Sequence, residues 1–497
     1  FQGSESDVDY LIITNKNLES EANRLAEFHN SFSKLNTKVV TIESIYTEFN
    51  TGNPDIGAIR NFIKYVYDNA SASSTRLKYL CLFGDTSFDY QNRIRFNNNI
   101  VPTYYSYNSY SAVNSFMSDD FYAMMDPEEG SLSFADRMDI AVGRIVADDR
   151  ASAKSAVDKI IRYHDKSNYG SWRNSFLLIS DDVDKSWETT IQENIDWLGD
   201  VLYEKKPFIN VKKIHSDAYV QEASAAGDRY PAVNTLIKND LNLGALVFNY
   251  FGHGGEDGLA SERIFDKLDA TNLYNPNKLP LFITSTCEFS RFDNPLRETA
   301  GELTFSNPNG GAIGLISTTR QILVINGISY NNILTKHLFS YDSENYVTVG
   351  EALRLAKAEF SGTAQKRILF YIGDPALKLA IPKPKIVLTH VNDIPIDQAV
   401  DTLKALSKIN FKGKVTDVSN NLLSSYEGIA TVTVFDKEIE KKTLRNDNVG
   451  DALEFRALGK TIFKGKASVK EGLFDIDFIV PKDIAIPIGN ARISLYA

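Results

Sequence analysis

The chain has 497 residues, of which 43% are hydrophobic and 24% are charged, and its formal net charge is −10. This length exceeds what one hydrophobic core usually supports, and the composition is that of a globular protein rather than a disordered scaffold. The acidic balance without a long Lys/Arg cluster argues against nucleic acid as a partner, and no run of 18 apolar residues predicts a membrane span.

Strand and helix patterns alternate over the first two thirds of the chain, which predicts a mostly parallel sheet covered by helices on both faces. Residues 1–4 read as the remnant of an engineered protease site and take no part in the fold prediction. A first α/β subdomain is expected over residues 5–170. Its predicted strands are 9–14, 38–42, 77–83 and 139–143, and its predicted helices are 18–34, one that begins at Pro54, and 151–163.

A second α/β subdomain is expected over residues 171–381. Its predicted strands are 175–180, 244–251, 279–284 and 311–317. The Pro-containing segment 381–385 then marks a change to short alternating strands such as 430–435 and 473–480. This pattern predicts a β-sandwich over residues 384–497.

Two predicted strands lead directly into residues that carry chemistry. His253 follows one of them between glycines, and Cys287 follows another. Ligands of open α/β sheets bind at the carboxyl ends of strands, so both side chains are expected at such a site. A cysteine thiolate beside an imidazole is a good acyl-transfer nucleophile. The alternatives are that Cys287 is a small buried hydrophobe and that His253 is a loop residue without a role. Cys81 lies inside a predicted strand and is expected in the core.

Two other enzyme or binding classes fit the sequence poorly. A dinucleotide-binding G-x-G-x-x-G would need glycine at position 257, which is Asp257, and Glu256 with Asp257 would repel a pyrophosphate. A zinc hydrolase could use His253 and Glu256, but no H-E-x-x-H is present and no third ligand can be named. A catalytically silent binding or scaffold module on the cell surface remains an open alternative.

Several segments resemble those of gingipain-like, caspase-related cysteine peptidases. Residues 250–255 (YFGHGG) precede Cys287, which lies thirty-four residues after His253. The segments 142–145 (VGRI), 157–163 (VDKIIRY) and 373–377 (GDPAL) resemble further family landmarks in the right order. The resemblance implies a caspase-like or gingipain-like two-subdomain α/β sandwich, followed by an immunoglobulin-like β-sandwich domain.

The resemblance also implies roles for individual residues. Cys287 would attack the scissile carbonyl, and His253 would give a proton to the leaving nitrogen. The backbone N–H groups of Gly254 and Cys287 would form the oxyanion hole. Asp182, with Asp181 as the fallback, would orient the imidazole. The alternative for these aspartates is a helix cap or a solvated turn.

The resemblance also bears on which substrate residues the enzyme would prefer. Thr189 stands where family members specific for basic residues have an aspartate, so we do not expect specificity for arginine or lysine. Arg320 lies in the segment that helps to form the pocket wall in this family, where it would narrow the pocket or meet an acidic group. The alternative is an exposed arginine without a role. No cofactor is required, and a structural calcium is allowed, with Ser118, Asp119 and Asp120 as candidate oxygen donors.

Within the family, these segments are most similar to those of the sortases of the type IX secretion system. This similarity implies cleavage of carboxy-terminal sorting domains from secreted proteins at the cell surface, in association with the outer membrane and other type IX components. The acyl-enzyme would pass to water or to an amine of an anionic lipopolysaccharide, since a thioester accepts either nucleophile.

Overall fold

The computed structural model describes residues 6–108, 110–111, 113–225, 227–360, 364–383, 385–398, 403–484 and 489–497. The predicted tag remnant at residues 1–4 and the predicted domain limits at residues 5 and 384 lie outside these ranges. Within them, no helix combines the length and the apolar character that crossing a membrane requires.

Strands and helices alternate through residues 6–170. In chain order they are β1 (Tyr10–Thr14), α1 (Glu19–Phe28), β2 (Thr37–Thr41), α2 (Ile42–Phe49), α3 (Ile56–Asp68), β3 (Tyr79–Phe83), β4 (Tyr104–Tyr105), β5 (Met117–Ser118), β6 (Ala141–Ile145) and α4 (Arg150–Tyr163).

The alternation continues through residues 171–381. These elements are β7 (Ser175–Ser180), α5 (Thr189–Lys205), β8 (Asn210–His215), α6 (Pro231–Leu243), β9 (Val247–Phe251), β10 (Gly254–Gly255), β11 (Gly258–Leu259), β12 (Phe265–Asp266), α7 (Lys267–Asn272), β13 (Leu281–Ser285), α8 (Ala300–Ser306), β14 (Gly314–Thr318), α9 (Val324–Leu338), α10 (Val349–Glu359) and β15 (Leu369–Ile372).

Ten of these strands form one sheet in the order β2-β1-β3-β6-β15-β14-β13-β9-β7-β8. All neighbours are parallel except β14 and β15. Both faces of the sheet are buried: in β1, Tyr10 and Ile12 belong to one hydrophobic core, and Leu11 and Ile13 belong to another. Continuous apolar strands are typical of sheets covered on both faces. The predicted α/β class is confirmed.

The segments 142–145 and 373–377 meet where the two series of strands join. A Cβ atom on Gly143 would lie 2.5 Å from the Gly373 carbonyl oxygen, so the close approach of β6 requires glycine there. Asp374 is buried and accepts hydrogen bonds from the Tyr10 hydroxyl at 2.8 Å and from His29 Nε2 at 2.7 Å.

Most predicted boundaries differ from the structure by a few residues, as for the predicted strand 311–317, which is observed as Gly314–Thr318, and two of the differences have a clear local cause. Strand β2 ends at Thr41, one residue before the end of the predicted strand 38–42, because Ile42 begins α2. The helix predicted to begin at Pro54 begins at Ile56, because Asp55 is the cap residue and its Oδ1 accepts a hydrogen bond from the Gly57 N–H at 2.8 Å.

The carboxy-terminal part consists of short antiparallel strands. They are β16 (Lys385–Val391), β17 (Ile394–Pro395), β18 (Lys408–Thr416), β19 (Gly428–Phe435), β20 (Ile439–Lys442), β21 (Glu454–Ala457), β22 (Thr461–Val469), β23 (Leu473–Ile479) and β24 (Arg492–Tyr496). A four-stranded sheet, β17-β16-β18-β23, shares one core with a three-stranded sheet, β22-β19-β24. A carboxy-terminal β domain is therefore present, and its immunoglobulin-like character stays a prediction.

The β domain lies beside β8, the edge strand of the large sheet. At the start of β8, Asn210 Nδ2 donates a hydrogen bond to Ser494 Oγ at 2.8 Å. At its end, the His215 ring meets the Phe455 ring edge-on, with a centroid distance of 4.5 Å. The β domain thus contacts both ends of this edge strand.

Candidate active site

The two residues predicted to carry the chemistry follow neighbouring strands. β9 and β13 are parallel and in register, so that Phe251 pairs with Ser285. His253 and Cys287 each lie two residues beyond this pair. Both residues therefore follow adjacent strand ends at the carboxyl edge of the sheet, where ligands of α/β sheets bind.

Gly254 packs directly against the residue that precedes Cys287. A Cβ atom on Gly254 would lie 2.5 Å from Thr286 Oγ1, so no other residue fits without displacement. The Ala260 N–H donates to the His253 carbonyl at 2.9 Å, and Gly254 pairs with Leu259 in the β10–β11 hairpin. Hydrogen-bonded and non-hydrogen-bonded pairs alternate in antiparallel strands, so the Gly254 N–H is directed away from the hairpin. This orientation is one that an oxyanion-hole donor needs.

The backbone of His253 is held from both sides. Its N–H donates to Asp181 Oδ2 at 2.6 Å, and its carbonyl accepts from the Tyr250 hydroxyl at 2.6 Å. A Cβ atom on Gly252 would lie 2.4 Å from the Asp181 Cβ, so glycine at this position allows the close approach. The imidazole itself stays 42% exposed, and it is therefore accessible to a substrate.

Glu188 is the acidic partner of the imidazole. Its Oε1 lies 2.9 Å from His253 Nε2, and its side chain is only 1% exposed. Its Oε2 accepts hydrogen bonds from the N–H groups of Asp184 at 2.9 Å and Lys185 at 2.8 Å. A carboxylate is an acceptor, so Nε2 is the donor and Nδ1 is the nitrogen left to exchange a proton.

The prediction that Asp182 orients the imidazole is corrected by this contact. Asp182 Oδ2 accepts a hydrogen bond from the Tyr230 hydroxyl at 2.9 Å. Asp181, the fallback, binds the backbone of His253 rather than its ring. The chain leaves the end of β7 and turns back through a single 3₁₀ turn, Ser186–Glu188, and this turn carries Glu188 to the ring.

Cys287 lies partly buried in the loop after β13. Burial raises the pKa of its thiol above the ordinary value, and a hydrogen bond from the Ile322 N–H opposes this effect. A thiolate therefore needs a nearby base to form. The next residue, Glu288, has a φ of 53°, a left-handed conformation that is uncommon outside glycine and turns the chain sharply. Cys81 is fully buried in β3, as expected of a core residue.

Ion pairs join the loop after Cys287 to the hairpin after His253. Glu256 in the hairpin pairs with Arg291 at 3.2 Å and with Arg297 at 3.1 Å, and Arg291 also pairs with Glu288 at 3.4 Å. Because two arginines engage Glu256, it is a poor candidate for a zinc ligand beside His253.

The sequence model of Peptidase family C25 matches residues 4–380. The chain belongs to Peptidase family C25, the gingipain family of cysteine peptidases. Membership of this family supports a cysteine peptidase. No curated protein matches the chain significantly in sequence.

Solved structures show which fold this C25 peptidase has. The Arg-specific cysteine proteinase gingipain R (RgpB) is 16% identical, with a TM-score of 0.58 over 97% of this chain and 93% of its own. The complex of the Porphyromonas gingivalis RgpB pro- and mature domains gives the same identity and TM-score, over 96% and 93%. These likenesses confirm the predicted gingipain-like fold. Dimeric latent PorU from Porphyromonas gingivalis is 21% identical with a TM-score of 0.44, and this C25 chain spans 41% of its length.

Two further residues were predicted to contact the substrate of the C25 peptidase. Thr189 begins α5, and its Oγ1 donates to the Ser186 carbonyl at 3.1 Å. Arg320 is 12% exposed and forms a bidentate pair with Asp293, with distances of 2.7 and 3.1 Å. Asp293 therefore neutralises the charge of Arg320. The substrate-binding roles of Thr189 and Arg320 stay predictions.

The candidate calcium donors do not fit an ion. Both carboxylate oxygens of Asp119 accept hydrogen bonds from the buried Arg144 guanidinium. Asp120 pairs with Lys357 at 2.6 Å and with Arg367 at 3.0 Å. Protein cations already neutralise both carboxylates, so the C25 peptidase has no need of a metal ion at this position.

Proposed function

We propose that this C25 peptidase is a cysteine endopeptidase in which Cys287 is the nucleophile and His253 its acid–base partner. The observation that carries the proposal is the hydrogen bond between Glu188 and His253 Nε2 at 2.9 Å, beside a cysteine at the paired strand end. A buried carboxylate fixes the orientation of the imidazole and stabilises its protonated form.

The reaction begins when His253 Nδ1 takes the proton of the Cys287 thiol. The thiolate attacks the scissile carbonyl, a C–S bond forms, and the negative charge moves to the carbonyl oxygen. The N–H groups of Gly254 and Cys287 stabilise this oxyanion. When the tetrahedral intermediate collapses, the C–N bond breaks and the imidazolium gives its proton to the leaving amine. A thioester remains on Cys287.

We further infer that the substrates are secreted proteins with a carboxy-terminal sorting domain, and that the enzyme acts as a sortase of a type IX secretion system at the outer membrane surface. The likeness of segments 142–145, 250–255 and 373–377 to such sortases supports this inference. Its partners there would be other type IX components. The thioester would pass either to water or to an amine of an anionic lipopolysaccharide, since both are competent nucleophiles.

A cavity supports a preference for uncharged residues at the cleavage position. It has a volume of about 310 Å³ and adjoins the segment that contacts Cys287, because Leu323 in its wall directly follows Ile322. Its lining residues are uncharged: Val113, Asn114, Ser115, Phe116, Leu323, Asn326, Gln365 and Ile368. A basic side chain would enter without a counter-charge, which is costly.

The test combines thiol labelling with cleavage of a purified fusion that ends in a sorting domain. Iodoacetamide should label Cys287 in the folded protein, and Cys287→Ala should abolish both this labelling and cleavage. Cys81→Ser is the matched control, because it removes a buried thiol and should leave cleavage unchanged. Cleavage by folded Cys287→Ala protein would overturn the assignment. A wild-type protein that neither labels at Cys287 nor cleaves would instead support a silent binding module.

A further inference from the structure

The β domain has one hairpin whose loop is held in a defined shape. Strands β20 and β21 are antiparallel and are joined by residues 443–453, the β20–β21 loop. At the base of the loop the Thr443 N–H donates to the Leu453 carbonyl at 3.0 Å, and the Leu453 N–H donates to Thr443 Oγ1 at 2.9 Å. Nearer its tip the Asn448 N–H donates to the Arg445 carbonyl at 2.8 Å. Internal hydrogen bonds therefore fix the form of this loop.

A buried aspartate of the α/β part binds the β20–β21 loop. Asp217 lies in the 3₁₀ turn that follows β8. Its Oδ1 accepts hydrogen bonds from the Asn446 N–H and from Asn446 Nδ2, both at 2.9 Å, and its Oδ2 accepts from the Arg445 N–H at 3.1 Å. The Leu444 N–H donates to the Asp217 carbonyl at 2.7 Å. Three successive residues of the loop are thus bound to one aspartate.

The side chain of Asn446 also binds the backbone beyond Asp217. Its Nδ2 donates to the Tyr219 carbonyl at 2.9 Å, and its Oδ1 accepts from the Gln221 N–H at 3.2 Å. Because one of these partners is an acceptor and the other a donor, a side-chain amide satisfies both at once, whereas a carboxylate would not. Asn446 is therefore the anchor of the β20–β21 loop.

Gly450 brings the same loop against the segment that carries Glu188. Its φ is 65°, in the left-handed region that favours glycine. A Cβ atom on Gly450 would lie 2.6 Å from Thr189 Cγ2 and 3.2 Å from Val183 Cγ1. Val183 and Thr189 lie on either side of the turn that contains Glu188. The loop therefore packs against both ends of this turn.

The turn between Val183 and Thr189 has little burial of its own. Residues 184–187 are exposed, and only Glu188 within the turn is buried. Segments with few buried contacts open locally at a small cost in free energy. A contact that holds both ends of the turn makes such opening rarer, and it narrows the range of positions that the Glu188 carboxylate can adopt.

We propose that Asn446 and Gly450 are positioning residues, through which the β domain holds Glu188 and thereby orients the imidazole of His253. Both act through Glu188, by way of the turn, and not on the reacting atoms. A displacement of about 1 Å in a group that orients the reaction can cost about 10²-fold in rate. The effect on cleavage rests on the proposed function, whereas the effect on the turn does not.

The first test is Asn446→Ala in the full chain, with a thermal melt to confirm folding. Hydrogen exchange followed by mass spectrometry should show the amides of residues 183–189 exchanging at least about tenfold faster than in the wild type, because the turn opens more often. For the sorting-domain fusion, kcat should fall at least about tenfold with little change in KM, because the imidazole is less well oriented.

Asn421→Ala is the matched control for this variant. It removes an exposed side-chain amide from another loop of the β domain, where Asn421 Nδ2 donates to Asp417 Oδ2 at 3.0 Å. Both the exchange of residues 183–189 and kcat should equal those of the wild type.

Gly450→Ala tests the contact with the turn by a separate route. The added methyl group would press on Thr189 Cγ2, so kcat should again fall with little change in KM. Thr189→Ser removes the methyl group that is met and keeps the hydroxyl that donates to the Ser186 carbonyl. Gly450→Ala/Thr189→Ser should therefore regain the kcat of Thr189→Ser alone, a rescue that general destabilisation of the β domain would not produce.

The exchange measurement needs no cleavage, so it separates this proposal from the peptidase assignment. Unchanged exchange in Asn446→Ala overturns the proposal, and so does faster exchange with an unchanged kcat. If the wild type does not cleave, the peptidase assignment fails, and the exchange comparison alone decides whether the loop holds the turn. If Asn446→Ala does not fold, Gly450→Ala decides, and absence of the rescue by Thr189→Ser then overturns the proposal.

Discussion

His253 Nε2 donates a hydrogen bond to Glu188 Oε1 at 2.9 Å, while the other oxygen of Glu188 accepts two backbone N–H groups. The carboxylate is thus fixed by the turn in which it lies before it meets the ring. Because Nε2 is occupied, only Nδ1 can exchange a proton with Cys287 or with a substrate. The turn that precedes α5 therefore sets the tautomer of His253.

Glu188→Gln should lower kcat on the order of 10²–10⁴-fold with little change in KM. The amide cannot stabilise the imidazolium, and its N–H₂ group favours the wrong tautomer. The measurement is steady-state cleavage, with a thermal melt to confirm folding. Glu193→Gln, an exposed change in helix α5, which follows the Glu188 turn, should keep full activity. An unchanged kcat in Glu188→Gln would show that another group orients the ring.

Asp119→Ala should destabilise the fold by about 3–5 kcal/mol. The fully buried Arg144 guanidinium would lose both contacts to Asp119 and keep only the carbonyls of Gly84 and Val101. Equilibrium urea unfolding measures this change. Lys336→Ala, which removes an exposed ion pair with Glu359, should cost less than about 1 kcal/mol. A small effect in Asp119→Ala would show that water reaches Arg144.

A peptide library should reveal a preference for uncharged residues at the cleaved position. Asn326→Asp places a carboxylate in the wall of the uncharged cavity and should raise cleavage after arginine or lysine at least about tenfold, roughly 1.4 kcal/mol of discrimination. Thr189→Asp tests the assignment made from the sequence. If Thr189→Asp alone produces basic specificity, the substrate pocket lies at α5 and not at this cavity.

The stability of the protein should depend on pH through Lys159. Its ammonium group is buried and donates to the Phe305 carbonyl at 2.6 Å, and burial lowers the pKa of Lys159 to about 7, with a smaller effect from Arg162. Between pH 7 and about 10.5 the unfolded chain keeps this proton and the native state releases it, so stability rises with pH. The full penalty of the buried charge is present below pH 7.

Urea unfolding of the wild type and of Lys159→Met at several pH values isolates this effect. The difference in unfolding free energy between the wild type and Lys159→Met should change by up to about 1.4 kcal/mol per pH unit above pH 7. Lys154→Met, on the exposed side of the same helix, should show the wild-type pH dependence. A difference that does not vary with pH would mean that Lys159 stays charged in the folded protein.

Most of the strands of the large sheet could be predicted because they are continuous apolar runs. The strand β8, with the sequence NVKKIH, was not predicted because its two lysines break the pattern. In the structure Lys212 pairs with Asp240, and Lys213 pairs with Asp196 and Asp200. These partners come from helices α5 and α6, so the strand depends on contacts that its own sequence does not show.

The same distinction, between residues marked by local sequence signals and residues brought in by distant contacts, applies to the candidate site. His253 and Cys287 could be proposed from the sequence because strand ends and glycines are local signals. Glu188 was missed because it lies eight residues after the end of β7, where no local pattern separates it from any helix-capping glutamate. The pairing of Arg320 with Asp293 could likewise not be predicted from local sequence, since it joins two loops that are 27 residues apart.

The β domain beside β8 has a consequence for self-association. An edge strand presents unpaired N–H and C=O groups that can recruit a strand from a second molecule. With Asn210 and His215 engaged by the β domain, approach of another chain to this edge is obstructed. A protein truncated after Ile381 should therefore form oligomers through strand addition, and chromatography with light scattering would detect them.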